Sequence, residues 1–102
     1  MAQPESFISA SLPNEEEQDE YIEVVIDNGP DMRDRFAVVF VDDAGRAHTV
    51  AAGVDRKGNV GVVDVFEGRP KPGVGRRIEW HDLPGQYQGL IWSQFEELNG
   101  SS

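Results

Sequence analysis

The sequence contains no cysteine. Disulfide staples and zinc–thiolate centres are therefore excluded, and a reducing, cytoplasmic setting is the default expectation. Long apolar runs are missing too: the longest, Phe36 to Val41, falls far short of the roughly 20 residues that cross a bilayer as a helix. The opening MAQPESFISA has neither the basic start nor the apolar stretch of a secretory signal. Histidine is limited to His48 and His81. A catalytic or metal centre needs several convergent donors with a base held by an orienting partner. No Gly-x-Ser-x-Gly, His-Glu-x-x-His or P-loop pattern occurs. His81 reads as a residue leading into a helix and His48 as a strand residue. Asp42, Asp43 and Asp55 lack the alternating spacing and final Glu of a calcium loop and read as turn residues. The expectation is a protein with no enzymatic activity, no cofactor and no metal.

Positive charge is absent from the whole front of the chain. The first Lys or Arg is Arg33, whereas nine of the 19 acidic residues precede it: Glu5, Glu15, Glu16, Glu17, Asp19, Glu20, Glu23, Asp27 and Asp31. The formal net charge of −10 therefore belongs to the front, and the remainder is close to neutral. Such a chain repels nucleic acid and anionic membrane and is attracted to basic surfaces, so the partner expected is another protein.

Residues 1–20 carry two prolines, the run NEEEQDE and only one apolar cluster, Phe7, Ile8 and Leu12. That is too little apolar surface to offset the entropy of ordering, so residues 1–20 read as a disordered acidic arm and 21–100 as a single domain. The alternative is that Phe7, Ile8 and Leu12 tuck into a groove on this chain or on a partner.

The folded part centres on Arg35 to Phe66, which reads as three strands joined by two tight turns. Tyr21–Ile26 is a strand before it, with Ile22, Val24 and Ile26 on one face and Tyr21, Glu23 and Val25 on the other. Phe36–Val41, apolar on both faces, reads as a central strand. Arg46–Val54 sets His48, Val50, Ala52 and Val54 against a small-residue face of Ala47, Thr49, Ala51 and Gly53. The C-terminal helix is expected against that small face. Val60–Phe66 follows, interrupted by Asp64. Glu67–Gly75 is a Gly/Pro loop, and Arg76–Trp80 a short last strand. Asp82–Leu98 reads as a helix capped by Asp82. Its Leu83, Tyr87, Leu90, Ile91, Phe95 and Leu98 fall within roughly 140° on a helical wheel; Gln94 interrupts that stripe and Trp92 lies outside it.

The resulting fold is α+β, an antiparallel sheet of four to five meander strands with one amphipathic C-terminal helix across a face. The alternative is a partly open SH3-like barrel with the helix plugging one end. In the meander, Tyr21–Ile26 and Arg76–Trp80 are the edges, and pairing of such edges leaves a homodimer open.

Three surfaces are candidate sites. The carboxylates of Glu15, Glu16, Glu17, Asp19 and Glu20 either keep the chain soluble or imitate a phosphate backbone toward a basic groove. Trp92, off the apolar stripe, reads as an exposed anchor for a partner, or else as a ring folded against the sheet or Trp80. Arg69, Lys71, Arg76 and Arg77 lie in a Gly/Pro-rich stretch whose amides and guanidiniums suit an anion; the loop either holds such a ligand, docks the chain's own acidic arm, or is merely solvated. The leading functional expectation is a non-enzymatic protein-binding module, an inhibitor or adaptor, in its sharpest form a phage or mobile-element inhibitor of a nucleic-acid-handling enzyme. A small structural assembly component and a small-anion or nucleotide binder are the alternatives.

Overall fold

The computed structural model describes residues 12–71 and 75–100. The elements are α1 (Glu15–Tyr21), β1 (Ile22–Asp27), β2 (Phe36–Val41), β3 (Ala47–Val54), β4 (Val60–Glu67), β5 (Arg76–Ile78), a 3-10 turn (Trp80–Asp82) and α2 (Gly85–Gly100). The strands form one open antiparallel sheet in the order β4-β3-β2-β1-β5. This is the α+β architecture expected. The apolar run of β2 lies at the centre, buried on both faces from Phe36 to Phe40.

One face of the sheet is aromatic and covered by helix. Val25, Phe36, Val38, Phe40, Val50 and Ala52 meet Trp80, Leu83, Tyr87, Ile91, Trp92 and Phe95 in a single core. Phe40 stacks on Phe95 with centroids 4.3 Å apart and planes at 8°. At the other end of α2, Tyr87 packs edge-on against Phe36 at 4.8 Å. Fully burying a side chain of this size stabilises by about 1.5–3 kcal/mol, so this layer holds the fold together.

The opposite face is the small-residue one, and there the expectation is corrected: α2 packs on Val50 and Ala52, not on Ala47, Thr49, Ala51 and Gly53. Loops cover the small face instead. The β1–β2 loop passes so close to Gly53 that an added Cβ would collide with the carbonyl of Arg33. The loop after β4 crosses at Thr49, whose hydroxyl donates to the carbonyl of Gly68 at 2.7 Å. Pro70 and Lys71 line a recess with Ala37, Thr49 and Ala51. Small side chains are what backbone needs in order to lie flat on a sheet.

Two bulges correct the assignment of faces. Ile22 pairs with Phe40 but Val24 with Val39, leaving Glu23 as an extra residue. One inserted residue inverts the alternation, so Ile22 and Val25 both serve the core while Val24 and Ile26 face away. In β4, Ala51 pairs with Asp64 and Ala52 with Val62. Val62 and Val65 therefore both reach the core, and Asp64 points to the small face.

The meander holds for β1 to β4 and fails for β5. β4 and β5 stand at opposite edges of the sheet, and β5 pairs along β1 from Arg76 opposite Asp27 to Ile78 opposite Val25. The two segments expected to be free edges thus pair with each other, and the actual edges are β4 and β5. That pairing takes β1 off the edge and leaves Arg76–Ile78 as one, with β4 as the other.

Residues 15–20 depart from the expected disordered arm. They are helical as part of α1, whose N-cap Asn14 accepts from the amide of Glu17 at 2.8 Å while Glu17 accepts from the amide of Asn14 at 3.0 Å. This reciprocal capping box satisfies two amide donors that a helix start otherwise leaves open. Phe7 and Ile8 lie outside the described residues; Leu12 is exposed.

Candidate protein-interaction surfaces

α1 is built as a short acidic platform. Its C-terminal residue Tyr21 turns inward, 5.3 Å from Phe95 and 6.2 Å from Trp92 between ring centroids. The Tyr21 hydroxyl donates to Asp43 at 2.8 Å, and Asn99 at the end of α2 holds the same Asp43 through its amide and carboxylate. The hydrogen bond to the Asp43 carboxylate, then burial and the charges of Asp43 and Glu20, push the Tyr21 phenol up to about 12. Anchored there, α1 leaves Glu15, Glu16, Asp19 and Glu20 exposed, and none of them meets a cation among the described residues. Glu17 is half-buried and occupied in the cap. Glu15 with Asp19 and Glu16 with Glu20 are like-charged pairs four residues apart, an arrangement that costs helix stability.

Trp92 is no anchor for a partner. It is 2% exposed, with Phe40 at 5.9 Å and Phe95 at 5.4 Å. The buried side of α2 is wider than its periodic stripe because α2 contacts the sheet below and Tyr21 beside it. The second contact leaves no trace in the helical period of α2, because Tyr21 lies about 70 residues away in sequence.

The arginine-rich stretch does not converge on one cradle. Arg69 forms a two-pronged bond to Glu23 at 2.6 and 2.7 Å, which holds the Glu23 carboxyl below its usual range. Arg76 reaches Asp27 at the other end of β1, at 3.4 Å. Asp27 is also held by Arg35 at 3.0 Å and by the amide of Gly29, and its carboxyl is depressed chiefly by Arg35. Lys71 and Arg77 are exposed and make no ion pair among the described residues. The acids engaged are Glu23 and Asp27 of β1, not those of residues 15–20.

The remaining acids serve turns. Asp42 accepts from the amides of Ala44 and Arg46 at 2.9 Å each and from His48 at 2.7 Å; these contacts, His48 first, lower its carboxyl. Asp55 does the same for Lys57 and Asn59 and is lowered chiefly by the Asn59 amide. His81 is exposed, 3.7 Å from Asp82, and lines a recess with Arg77, Glu79 and Trp80 to which His48 does not contribute. Among the described residues no three His, Cys, Asp or Glu side chains cluster as a metal site, and no helix is long and apolar enough to cross a membrane.

A cleft that the sequence did not signal opens at the Tyr87 end of α2. Pro30, Asp31, Met32, Arg33, Arg35, Val54, Asp55, Arg56 and Tyr87 line about 620 Å³. Met32 sits in a charged run with no apolar period, so only the fold brings it beside Val54. Comparisons with protein families, with curated proteins and with solved structures find no match.

Proposed function

We propose that this protein is a non-enzymatic binding module that engages a basic surface of another protein through α1. The observation that carries the reading is the presentation of Glu15, Glu16, Asp19 and Glu20: exposed, without cationic partners among the described residues, on a helix fixed at both ends by its capping box and Tyr21. Ordering them costs repulsion within α1, and an ordered row binds a basic groove with less entropy lost than a tail. In its finer form the module is an inhibitor that occupies the nucleic-acid groove of an enzyme, in the cytoplasm. The lack of cysteine supports that setting.

The test is capture from lysate by full-length protein and by Glu15→Gln/Glu16→Gln/Asp19→Gln/Glu20→Gln, with DNA as competitor. A nucleic-acid-binding protein retained by the wild type, released by DNA or by high salt and lost with the variant, is the expected result. Equal retention by wild type and variant removes α1 from the reading.

A further inference from the structure

The sheet ends in two edges of different make. β5 is three residues long and carries Arg76 and Arg77, so a copy laid along it would set arginine against arginine. β4 runs for eight residues, Val60–Glu67, and among the described residues no strand lies along its outer side. Such an edge presents open backbone donors and acceptors.

Which groups face outward follows from the hydrogen bonds at the two ends of β4. The Gly68 amide donates to the Ala47 carbonyl, and the Asn59 carbonyl accepts from the Asp55 amide. Backbone direction alternates along a strand. Glu67 and Val65 at one end, and Val60 and Val62 at the other, therefore turn their amides and carbonyls away from β3. The bulge at Val63 lies between them, so these four residues follow one another at intervals of two, three and two. A straight strand offers intervals of two throughout and cannot meet all four. Intervals that read the same in both directions are matched by the strand's own copy, run antiparallel about a two-fold axis at the bulge.

We propose that β4 pairs with β4 of a second copy of this chain, Val60 opposite Glu67 and Val62 opposite Val65, joining the two sheets into one. The contact is isologous and closes at a dimer. The side chains suit that register. Val60, Val62 and Val65 are only partly buried against the core, and the second copy completes their cover. On the other face Gly61 falls opposite Phe66. Nothing lies within 4 Å of where a Gly61 Cβ would stand, and Phe66 is 37% exposed, so each ring covers the other copy's glycine. Lys57, in the turn before β4, and Glu67, at its end, make no ion pair among the described residues; antiparallel pairing brings them together twice. Asp64 opposes the contact, because it lies next to the axis and beside its own copy. Repulsion between whole copies of net charge −10 is screened beyond about 8 Å at physiological salt. α1 takes no part, since it contacts β1 and β2 and not β4, so this inference stands apart from the reading of α1.

Sedimentation velocity of the full-length protein up to millimolar concentration at physiological salt, joined to cysteine cross-linking, tests it. The wild type is expected to reach the mass of a dimer and stop there. Lys57→Glu and Glu67→Lys should each weaken dimerisation by about tenfold, the change acting twice per dimer, and Lys57→Glu/Glu67→Lys in one chain should restore it. Asp64→Asn should tighten it. The chain has no cysteine of its own, so Gly61→Cys mixed with Phe66→Cys should form a mixed disulfide under mild oxidation. Gly61→Cys alone should not, because the two copies of that position stand five residues out of register, roughly 17 Å apart. Lys57, Asp64, Phe66 and Glu67 are exposed, so the fold itself survives these changes. Glu15→Lys/Glu16→Lys should dimerise at least as well as wild type; loss of the dimer there would place the contact at α1 and overturn the proposal. A wild type that stays monomeric or grows beyond a dimer overturns it, as does dimerisation indifferent to both charge reversals. Cross-linking of Gly61→Cys with itself as readily as with Phe66→Cys does the same.

Discussion

The two faces of the sheet solve the same problem with opposite materials. One presents Phe36, Val38 and Phe40 to the rings of α2 and is sealed by large side chains. The other presents Ala37, Thr49, Ala51 and Gly53 and is sealed by backbone, with Arg33 and Gly68 lying directly on it. An aromatic face tolerates neighbours that slide, because dispersion has little direction. A backbone-covered face does not, because each carbonyl laid on it needs a donor. Its stability therefore depends on single contacts.

The largest effect belongs to the aromatic face. Trp92→Ala removes a ring that contacts Tyr21, Phe40 and Phe95, and urea denaturation should show a loss of about 3–5 kcal/mol. An exposed anchor would cost binding and leave the denaturation midpoint where it was, so an unchanged midpoint contradicts the packing. On the small face the reverse kind of change is the damaging one. Gly53→Ala adds one methyl where the Arg33 carbonyl already lies; overpacking of this kind costs about 1–3 kcal/mol. The same addition at Gly61, where nothing lies within 4 Å, should be near neutral. Equal denaturation midpoints for the two variants would show that the β1–β2 loop does not rest on Gly53.

Thr49→Val probes the same face at one hydrogen bond. The side chain is 1% exposed and its hydroxyl satisfies the Gly68 carbonyl, so the isosteric methyl leaves that acceptor unmet. Unfolding free energy should fall by about 1–3 kcal/mol, and hydrogen exchange should rise at Gly68, whose own amide bonds to Ala47. No change in either would mean that the crossing loop is held by other contacts.

This contrast also explains which parts of the fold were legible. Strand positions, the central place of Phe36–Val41 and the existence of the C-terminal helix follow from local period and turn chemistry; Asp42 and Asp55 each organise a turn as their spacing suggests. What escaped were matters of one residue or of distant partners. The bulges at Glu23 and Val63 leave no mark in composition yet exchange the two faces. The pairing of Arg76–Ile78 with β1 joins segments about 50 residues apart, beyond any local period. The helicity of residues 15–20 was written in the Asn-x-x-Glu capping pattern, but their charge pointed to disorder. Trp92 escaped for a related reason, since Tyr21 of α1 supplies part of its cover beside Phe40 and Phe95. Of the candidate site residues, the exposed acids of α1 were readable from charge alone, whereas the Met32–Val54 cleft exists only once the loops fold onto the sheet.

Acid sharpens the comparison at the sheet ends. Glu23, Asp27, Asp42 and Asp55 all titrate below their ordinary range. A depressed carboxyl adds stability that is present above its unfolded value, near 4, and is lost as pH falls through the lower folded value. Stability should thus be flat near neutrality and decline below about pH 4–5. Asp42→Asn should make that decline shallower; an equally steep acid limb would mean that the Asp42 carboxylate has no special stabilising role.

The smallest effect is at Tyr21, where the aromatic face meets the acidic platform. Its pKa is raised to about 12, so the sign is opposite to that of the carboxylates. The contribution is complete below the unfolded value of about 10 and is lost as pH rises toward the folded value. With Tyr87→Phe as background, leaving Tyr21 as the only phenol, ultraviolet titration of phenolate should give a midpoint near 12. Adding Asp43→Asn, which keeps an acceptor but removes the charge, should bring that midpoint down, because the Asp43 carboxylate is the first cause of the shift. The helicity of α1 should change little at neutral pH, where the phenol still donates. A midpoint already near 10 in the Tyr87→Phe protein would mean that Tyr21 does not meet Asp43 in solution. α1 would then lose the contact that ties it to the end of α2, and with it the ordered presentation of Glu15, Glu16, Asp19 and Glu20.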